Sequence, residues 1–215
     1  MEPSDPKQVV EHGYDQIGAA YGHWSSKATD QARERYTKLL LNELPKRSRV
    51  LDLGCGSGEL LTRHLSHRFE VTGVELSRHM VELARRNVPE ANFIHADMSS
   101  VSFPPGSFDG VCAFYSLTHL PREELPTLLR SITSWLKPGG ILVTSLGSDD
   151  NPGSVETNWI NGIPMYFAGY PVEKNIEIVE ESGLKVMDAR LETIHEKDGP
   201  VAFLWIVARK PRQST

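Results

Sequence analysis

The chain has 215 residues, a length that suits about one domain. Apolar residues make up 39% and charged residues 24%, values of a globular protein that exclude a disordered chain. The net charge of −5 is the wrong sign for a protein whose main partner is a polyanion, so a nucleic-acid partner is not expected.

The short basic clusters (Lys46, Arg47, Arg49; Arg85, Arg86; Arg209, Lys210, Arg212) read as solvated surface. No apolar run reaches the roughly 18 residues of a spanning helix, so no membrane partner is expected. The start, Met1-Glu2-Pro3-Ser4-Asp5, lacks the basic and apolar regions of a secretory signal. Cys55 and Cys112 are too few for a disulfide framework or a paired zinc site. His64 and His67 stand one helical turn apart without a third ligand, so no metal is expected. These features together predict a cytoplasmic protein.

In chain order, residues 6–44 have helical composition, with aromatics at Tyr14, Tyr21 and Trp24. Asp30 is placed to cap a second helix, in which Tyr36, Leu39, Leu40 and Leu44 recur at helical spacing before Pro45 ends it. Arg49 to Leu53 is a short apolar run that meets Gly54, Gly56 and Gly58, and a helical segment Glu59 to Leu65 follows. The unit then repeats. Phe69 to Glu75 alternates like a strand, Ser77 caps a helix, and Ala91 to Ala96 and Phe108 to Tyr115 read as further strands. Pro121 opens a helix with the apolar face Leu125, Leu128, Leu129, Ile132 and Trp135; Lys137 to Gly140 ends it, and Ile141 to Leu146 is a strand.

Gly147 to Tyr170 breaks the alternation and reads as a long loop that holds Trp159, Ile160, Met165, Tyr166 and Phe167. Loops of such length inside a compact domain are usually functional or mobile. Helix Val172 to Ser182 stops at Gly183, and two last strands, Leu184 to Thr193 and Val201 to Lys210, are joined by a hairpin-like turn. Strands alternating with helices predict a parallel, doubly wound sheet whose final strand runs antiparallel.

Ligands of such sheets bind outside the carboxyl ends of the strands. Three ends carry the chemistry here: Asp52-Leu53-Gly54-Cys55-Gly56-Ser57-Gly58, then Glu75, then Asp97. Glycines let the backbone turn and approach a ligand closely. Glu75 is placed to accept from ribose hydroxyls, and Asp97 to accept from an amino group such as that of adenine. A dinucleotide fingerprint fails, because the third glycine slot falls on Glu59 and Gly58 comes one place early.

Val50 to Gly58 resembles the signature motif of class I S-adenosylmethionine-dependent methyltransferases of the small-molecule type. Val74 to Ser77, Ala96 to Met98, Phe108-Asp109 with Phe114 to Pro121, and Leu136 to Leu142 are similar to that family's later segments. The resemblance implies one α/β domain with a Rossmann-like, doubly wound, seven-stranded, mostly parallel sheet and an antiparallel C-terminal strand. Residues 1–45 would form a helical cover, 46–146 the cofactor-binding core, 147–170 a substrate-covering insert, and 171–215 a helix and hairpin. The implied cofactor is S-adenosylmethionine, leaving as S-adenosylhomocysteine.

Carried over by residue, the resemblance places the methionine end of the cofactor at Gly54, Cys55 and Gly56, oriented by Asp52. The ribose falls to Glu75, the adenine to Leu76, Asp97 and Met98, and the neighbourhood of the sulfonium to Phe114 and Tyr21. A cover over the acceptor is expected from Tyr14, Trp24, Tyr115, Trp159, Met165, Tyr166 and Phe167, since aromatic faces suit a cation. His119 has two readings: a general base for an acidic substrate proton, or a structural imidazole. The segment Cys112 to Ser116 lacks the Asn/Asp-Pro-Pro-Tyr/Phe pattern of enzymes acting on adenine or glutamine nitrogens, which leaves a small-molecule acceptor. A non-catalytic cofactor-binding regulatory domain and a protein methyltransferase remain open as alternatives.

Overall fold

The computed structural model describes residues 5–18, 30–196 and 199–212. Tyr21 and Trp24 lie outside the described residues. The elements in chain order are α1 (Pro6–Ile17), α2 (Gln31–Glu43), β1 (Arg49–Leu53), α3 (Thr62–Ser66), β2 (Glu70–Glu75), α4 (Arg78–Asn87), β3 (Asn92–His95) and β4 (Phe108–Ala113). Two short 3-10 turns, Leu117–His119 and Arg122–Glu124, lead to α5 (Leu125–Trp135). Then come β5 (Leu136–Gly147), β6 (Asn151–Ile160), β7 (Ile163–Gly169), α6 (Val172–Glu181), β8 (Lys185–Glu196) and β9 (Gly199–Arg209).

Seven strands form one sheet in the order β3-β2-β1-β4-β5-β9-β8. β1 pairs in parallel with both β2 and β4, while β9 runs antiparallel to β5 and to β8. The strand order therefore reverses between β1 and β4, and the crevice outside their carboxyl ends is where such sheets hold ligands.

Alternation along the strands distributes side chains to two cores. Leu51, Val111, Leu142 and Ile206 pack under α5 and α6; Val50, Cys112, Val143 and Trp205 pack under α2 and α3. α5 buries Leu125, Leu128, Leu129, Ile132 and Trp135, each side chain contributing about 1.5–3 kcal/mol. Tyr36 of α2 stacks on Trp205 with ring centroids 4.4 Å apart. The predicted caps form: Asp30 accepts from the Arg33 backbone N–H and Ser77 from that of Met80.

Three segments differ from the sequence reading. The helix after the glycine turn starts at Thr62, because residues from Cys55 through Leu61 are used in turns around Gly56 and Gly58. The α5 helix proper starts at Leu125, with Pro126 in the first turn, where its missing N–H costs nothing. The stretch 147–170 is no open loop. It folds into a separate two-stranded antiparallel sheet, β6 with β7, closed by Asn161-Gly162 with both φ values positive (54° and 78°). That dipeptide is the strongest short hairpin signal a sequence offers.

The inserted hairpin is held against α1. Val10 packs with Met165, Tyr166 and Ala168, with Tyr14, Trp159 and Phe167 beside them. A Cβ on Gly13 would stand 2.7 Å from the Met165 Cε and 3.1 Å from the Pro164 carbonyl oxygen, so a larger residue would have to push the Met165 side chain aside for the helix to lie this close to β7. Among the described residues no helix is long and apolar enough to cross a membrane, and no group of three His, Cys, Asp or Glu side chains is placed to hold a metal ion.

Candidate active site

The glycine turn follows β1 at the reversal point. Gly54 has φ +71°, and a Cβ there would lie 2.3 Å from the Ser116 Cβ, so only glycine fits. Gly56 also has positive φ, but its missing side chain faces open space, with Met80 Cε the nearest atom at 4.0 Å. The two glycines thus answer different needs: close packing at Gly54, and a positive φ in the turn at Gly56.

Glu75, at the end of β2, is only 8% exposed and receives two backbone N–H groups, Gly56 on Oε2 at 2.9 Å and Ser77 on Oε1 at 2.8 Å. Burial pushes its carboxyl up, while those N–H bonds pull it down. The side chain still lines a cavity shared with Gly54, Gly56, Leu76, Asp97 and Met98. Asp97, after β3, accepts from the Ser99 backbone N–H on Oδ1 at 2.8 Å and from the Lys7 ammonium on Oδ2 at 2.7 Å. Burial works to raise Asp97, but the bonds from Lys7 and Ser99 outweigh it and hold the carboxyl below its ordinary range. Lys7 also reaches Glu124 at 2.7 Å, so the start of α1 is tied across the cavity mouth by two carboxylates.

Asp52 is placed apart from this group. It is 2% exposed, accepts from the Thr62 hydroxyl at 2.6 Å and the Cys112 thiol at 3.7 Å, and burial lifts its pKa to about 6. It lines a second, smaller cavity with Cys55, Gly56 and Arg33. Burial pushes the Cys55 thiol up, with the Asp52 and Glu75 charges adding to the rise, so this cysteine is no thiolate nucleophile. Phe114 borders both cavities. Arg33 has no distinguishing signal in the sequence beyond its place three residues after a cap. It pairs with Asp30 at 3.0 Å and lies over the Tyr115 ring at 4.8 Å. Tyr115 itself holds φ +58°, a strained conformation for an aromatic residue, and its hydroxyl donates to Asp30 at 2.9 Å.

His119 sits in the 3-10 turn after β4, on the far wall of the Glu75 cavity. Its Nδ1 is 2.9 Å from the Tyr166 carbonyl oxygen, which can only accept, so Nδ1 carries the proton. Nε2 is then the bare nitrogen, and it accepts from the Tyr14 hydroxyl at 2.9 Å. Burial drives the pKa down to about 4, against the Tyr166 carbonyl, which raises it; the imidazole is neutral at physiological pH. Phe167 lies tilted against it at 4.9 Å, while Tyr14 and Trp159 meet it edge-on at 5.5 Å and 5.9 Å.

The aromatic residues expected to cover an acceptor therefore divide. Tyr14 and Tyr115 line the Glu75 cavity, whereas Trp159 and Phe167 line a separate cleft outside it. The side chains of Met165 and Tyr166 line neither, but form the packing face of the hairpin against α1. Tyr166 acts on the site through its backbone carbonyl.

A family described as a methyltransferase domain matches residues 50–140. An N,N-dimethyltransferase of Streptomyces fradiae, acting on dTDP-3-amino-3,6-dideoxy-alpha-D-glucopyranose, is 32% identical over 81% of this chain and 67% of its own. The O-methyltransferase rstn1 of Aspergillus nomiae is 31% identical over 56% of this chain and 59% of its own. Among solved structures, 1,6-didemethyltoxoflavin-N1-methyltransferase of Burkholderia thailandensis, with bound 1,6-didemethyltoxoflavin and S-adenosylhomocysteine, superposes with a TM-score of 0.70 at 21% identity. That match covers 98% of this chain and 92% of the other. The chain belongs to the class I S-adenosylmethionine-dependent methyltransferases. It spans about half to three fifths of the length of several curated relatives that it matches.

Proposed function

We propose that this protein transfers a methyl group from S-adenosylmethionine to a small-molecule acceptor, by in-line displacement in a closed pocket. The observation that carries the reading is one cavity bordered at once by the glycine turn, Glu75 and Asp97, and on its far wall by the neutral His119.

The residues present fit the family's cofactor. Glu75, whose oxygens each accept one backbone N–H, would accept the ribose hydroxyls through its remaining lone pairs. Asp97 and Met98 would hold the adenine, with Leu76 against its face. Arg33, which lines the smaller cavity, would meet the methionine carboxylate there. Phe114, on the border of both cavities, would stand near the sulfonium. Asp52, tied to Thr62 and Cys112, would position the turn rather than touch the cofactor.

When bound, the cofactor supplies an activated methyl group on sulfonium. The chain's task is alignment and dehydration, and alignment alone is worth on the order of 7–11 kcal/mol of barrier. α1 and the inserted hairpin exclude water over the site. His119 presents the bare Nε2 toward the acceptor side, where it would take the proton that an attacking hydroxyl releases. The enclosure favours a small acceptor over a protein segment, which would need an open groove. The bound 1,6-didemethyltoxoflavin of the Burkholderia structure is a small molecule of this kind.

The test is turnover. Methyl-labelled donor incubated with a panel of small hydroxyl and amine acceptors is expected to yield S-adenosylhomocysteine together with labelled acceptor. His119→Ala is expected to lower kcat by about 100-fold or more on hydroxyl acceptors. Unchanged kcat and KM would remove His119 from the mechanism. Donor binding without turnover on any acceptor would favour a regulatory domain.

A further inference from the structure

Outside the ring layer around His119 lies a cleft of about 470 Å³ between the inserted hairpin, the end of β5 and the start of β9. Its volume falls within the roughly 300–1,000 Å³ of small-molecule sites. The cavity that holds Glu75 and Asp97 is smaller, about 70 Å³. The two spaces share no lining residue. They meet back to back across the layer of Tyr14 and His119 on one side and Trp159 and Phe167 on the other.

The apolar part of the cleft wall comes from Trp159, Phe167, Val155 and Val201, and uncharged polar groups of Thr118, Ser148, Asn151 and Ser154 complete it. The two valines are 43% and 36% exposed, so the rim presents apolar surface to solvent. Two carboxylates, Asp149 and Glu156, border it, and among the described residues no Lys or Arg does. An anionic acceptor would meet repulsion without a partner, whereas an uncharged flat ring would bury apolar area against Trp159 and Phe167.

The hydroxyl that His119 already holds names the chemistry further. Nε2 has one lone pair and gives it to a phenol, that of Tyr14, at 2.9 Å. We propose that this cleft is the acceptor site and that it takes an uncharged aromatic alcohol, whose phenolic hydroxyl replaces that of Tyr14 on His119 Nε2. The exchange swaps one phenol for another, so it leaves the imidazole's hydrogen bonding unchanged. It requires the ring layer to part, which joins the cleft to the inner cavity across His119. The acceptor oxygen then forms its bond to the methyl carbon as the carbon–sulfur bond breaks, the electron pair stays on sulfur, and the phenolic proton passes to Nε2. The inference rests on the methyltransferase reading above.

Calorimetry on the full chain saturated with S-adenosylhomocysteine tests it, with 2-naphthol, 2-naphthoate and 2-naphthylmethylamine as probes. The expected result is binding of 2-naphthol at least 10-fold tighter than of 2-naphthoate, with 2-methoxynaphthalene formed, and no N-methylated product from the amine, when the donor is supplied. Val201→Asp, at an exposed position, is expected to weaken 2-naphthol at least 5-fold while leaving S-adenosylhomocysteine affinity unchanged. Glu156→Lys is expected to narrow the gap between naphthol and naphthoate. Equal or tighter binding of naphthoate, N-methylation of the amine in preference to O-methylation of the naphthol, or naphthol binding indifferent to both rim variants, overturns the inference and leaves the methyltransferase reading standing. Failure of S-adenosylhomocysteine itself to bind overturns both.

Discussion

His119 is a histidine whose folded-state pKa, about 4, lies below the 6.5 of a solvated imidazole. Its contribution to stability is present above pH 6.5 and is lost as pH falls through the folded value, because the unfolded chain takes up a proton that the folded chain refuses. Acidification from about pH 7.5 to about pH 4.5 therefore removes about 2–3 kcal/mol through this one group. His119→Gln abolishes the titration while keeping a polar side chain between Tyr14 and the Tyr166 carbonyl. The variant should be less stable than the parent near neutrality, through imperfect packing among Tyr14, Trp159 and Phe167. Its deficit should shrink by about 2–3 kcal/mol near pH 4.5, and there the variant should equal or exceed the parent. Urea unfolding followed by circular dichroism at the two pH values measures both deficits. Equal deficits at both would show a solvated His119, and the argument for a neutral base enclosed by the hairpin would fail.

Asp52 should behave as the mirror image. Its folded pKa of about 6 exceeds the 3.8 of a free carboxyl, so its stabilising contribution is present below pH 3.8 and disappears as pH rises through 6. Asp52→Asn, which still offers an acceptor to Thr62, should therefore gain about 2 kcal/mol relative to the parent on going from about pH 4.5 to about pH 7.5, read by the same unfolding curves. Gly54→Ala combines a positive φ with a Cβ 2.3 Å from Ser116, and should lower stability by about 2–5 kcal/mol; a melting temperature within a degree of the parent would contradict the packing described. Lys7→Met severs the two ion pairs that tie down α1, at a stability cost of about 1 kcal/mol given their partial exposure. Chymotryptic cleavage after Tyr14 should then accelerate, and an unchanged rate would show that α1 is held by its apolar contacts alone.

What could be read from the sequence follows the range of the interactions concerned. The glycine turn, Glu75 and Asp97 are legible because each is set by a strand end and a turn a few residues long. The parallel, doubly wound sheet followed from alternating strands and helices, and the antiparallel β9 from the turn before it, whereas the order of the strands came only from the structure. The inserted hairpin was missed although Asn161-Gly162 marks its turn, because the polar residues of β6 mask the alternation and the strand is exposed along most of its length. The contacts that define the site lie beyond such reasoning. Lys7 meets Asp97 and Glu124 across 90 and 117 positions, and Tyr14 meets His119 across 105. Nothing in the local sequence brings these pairs together. The neutral state of His119 likewise comes from rings of three separate elements, α1, β6 and β7. Arg33 becomes a candidate only when α2 is seen beside the glycine turn.

The central claim is that Glu75 and Asp97 hold S-adenosylmethionine at the ends of β2 and β3. Calorimetric titration of the protein with S-adenosylhomocysteine, run beside NAD, tests it most directly. Micromolar binding of S-adenosylhomocysteine alone is expected, abolished in Glu75→Ala and weakened in Asp97→Ala. A folded protein that binds neither ligand, or an Glu75→Ala variant that binds S-adenosylhomocysteine as tightly as the parent, would contradict the account.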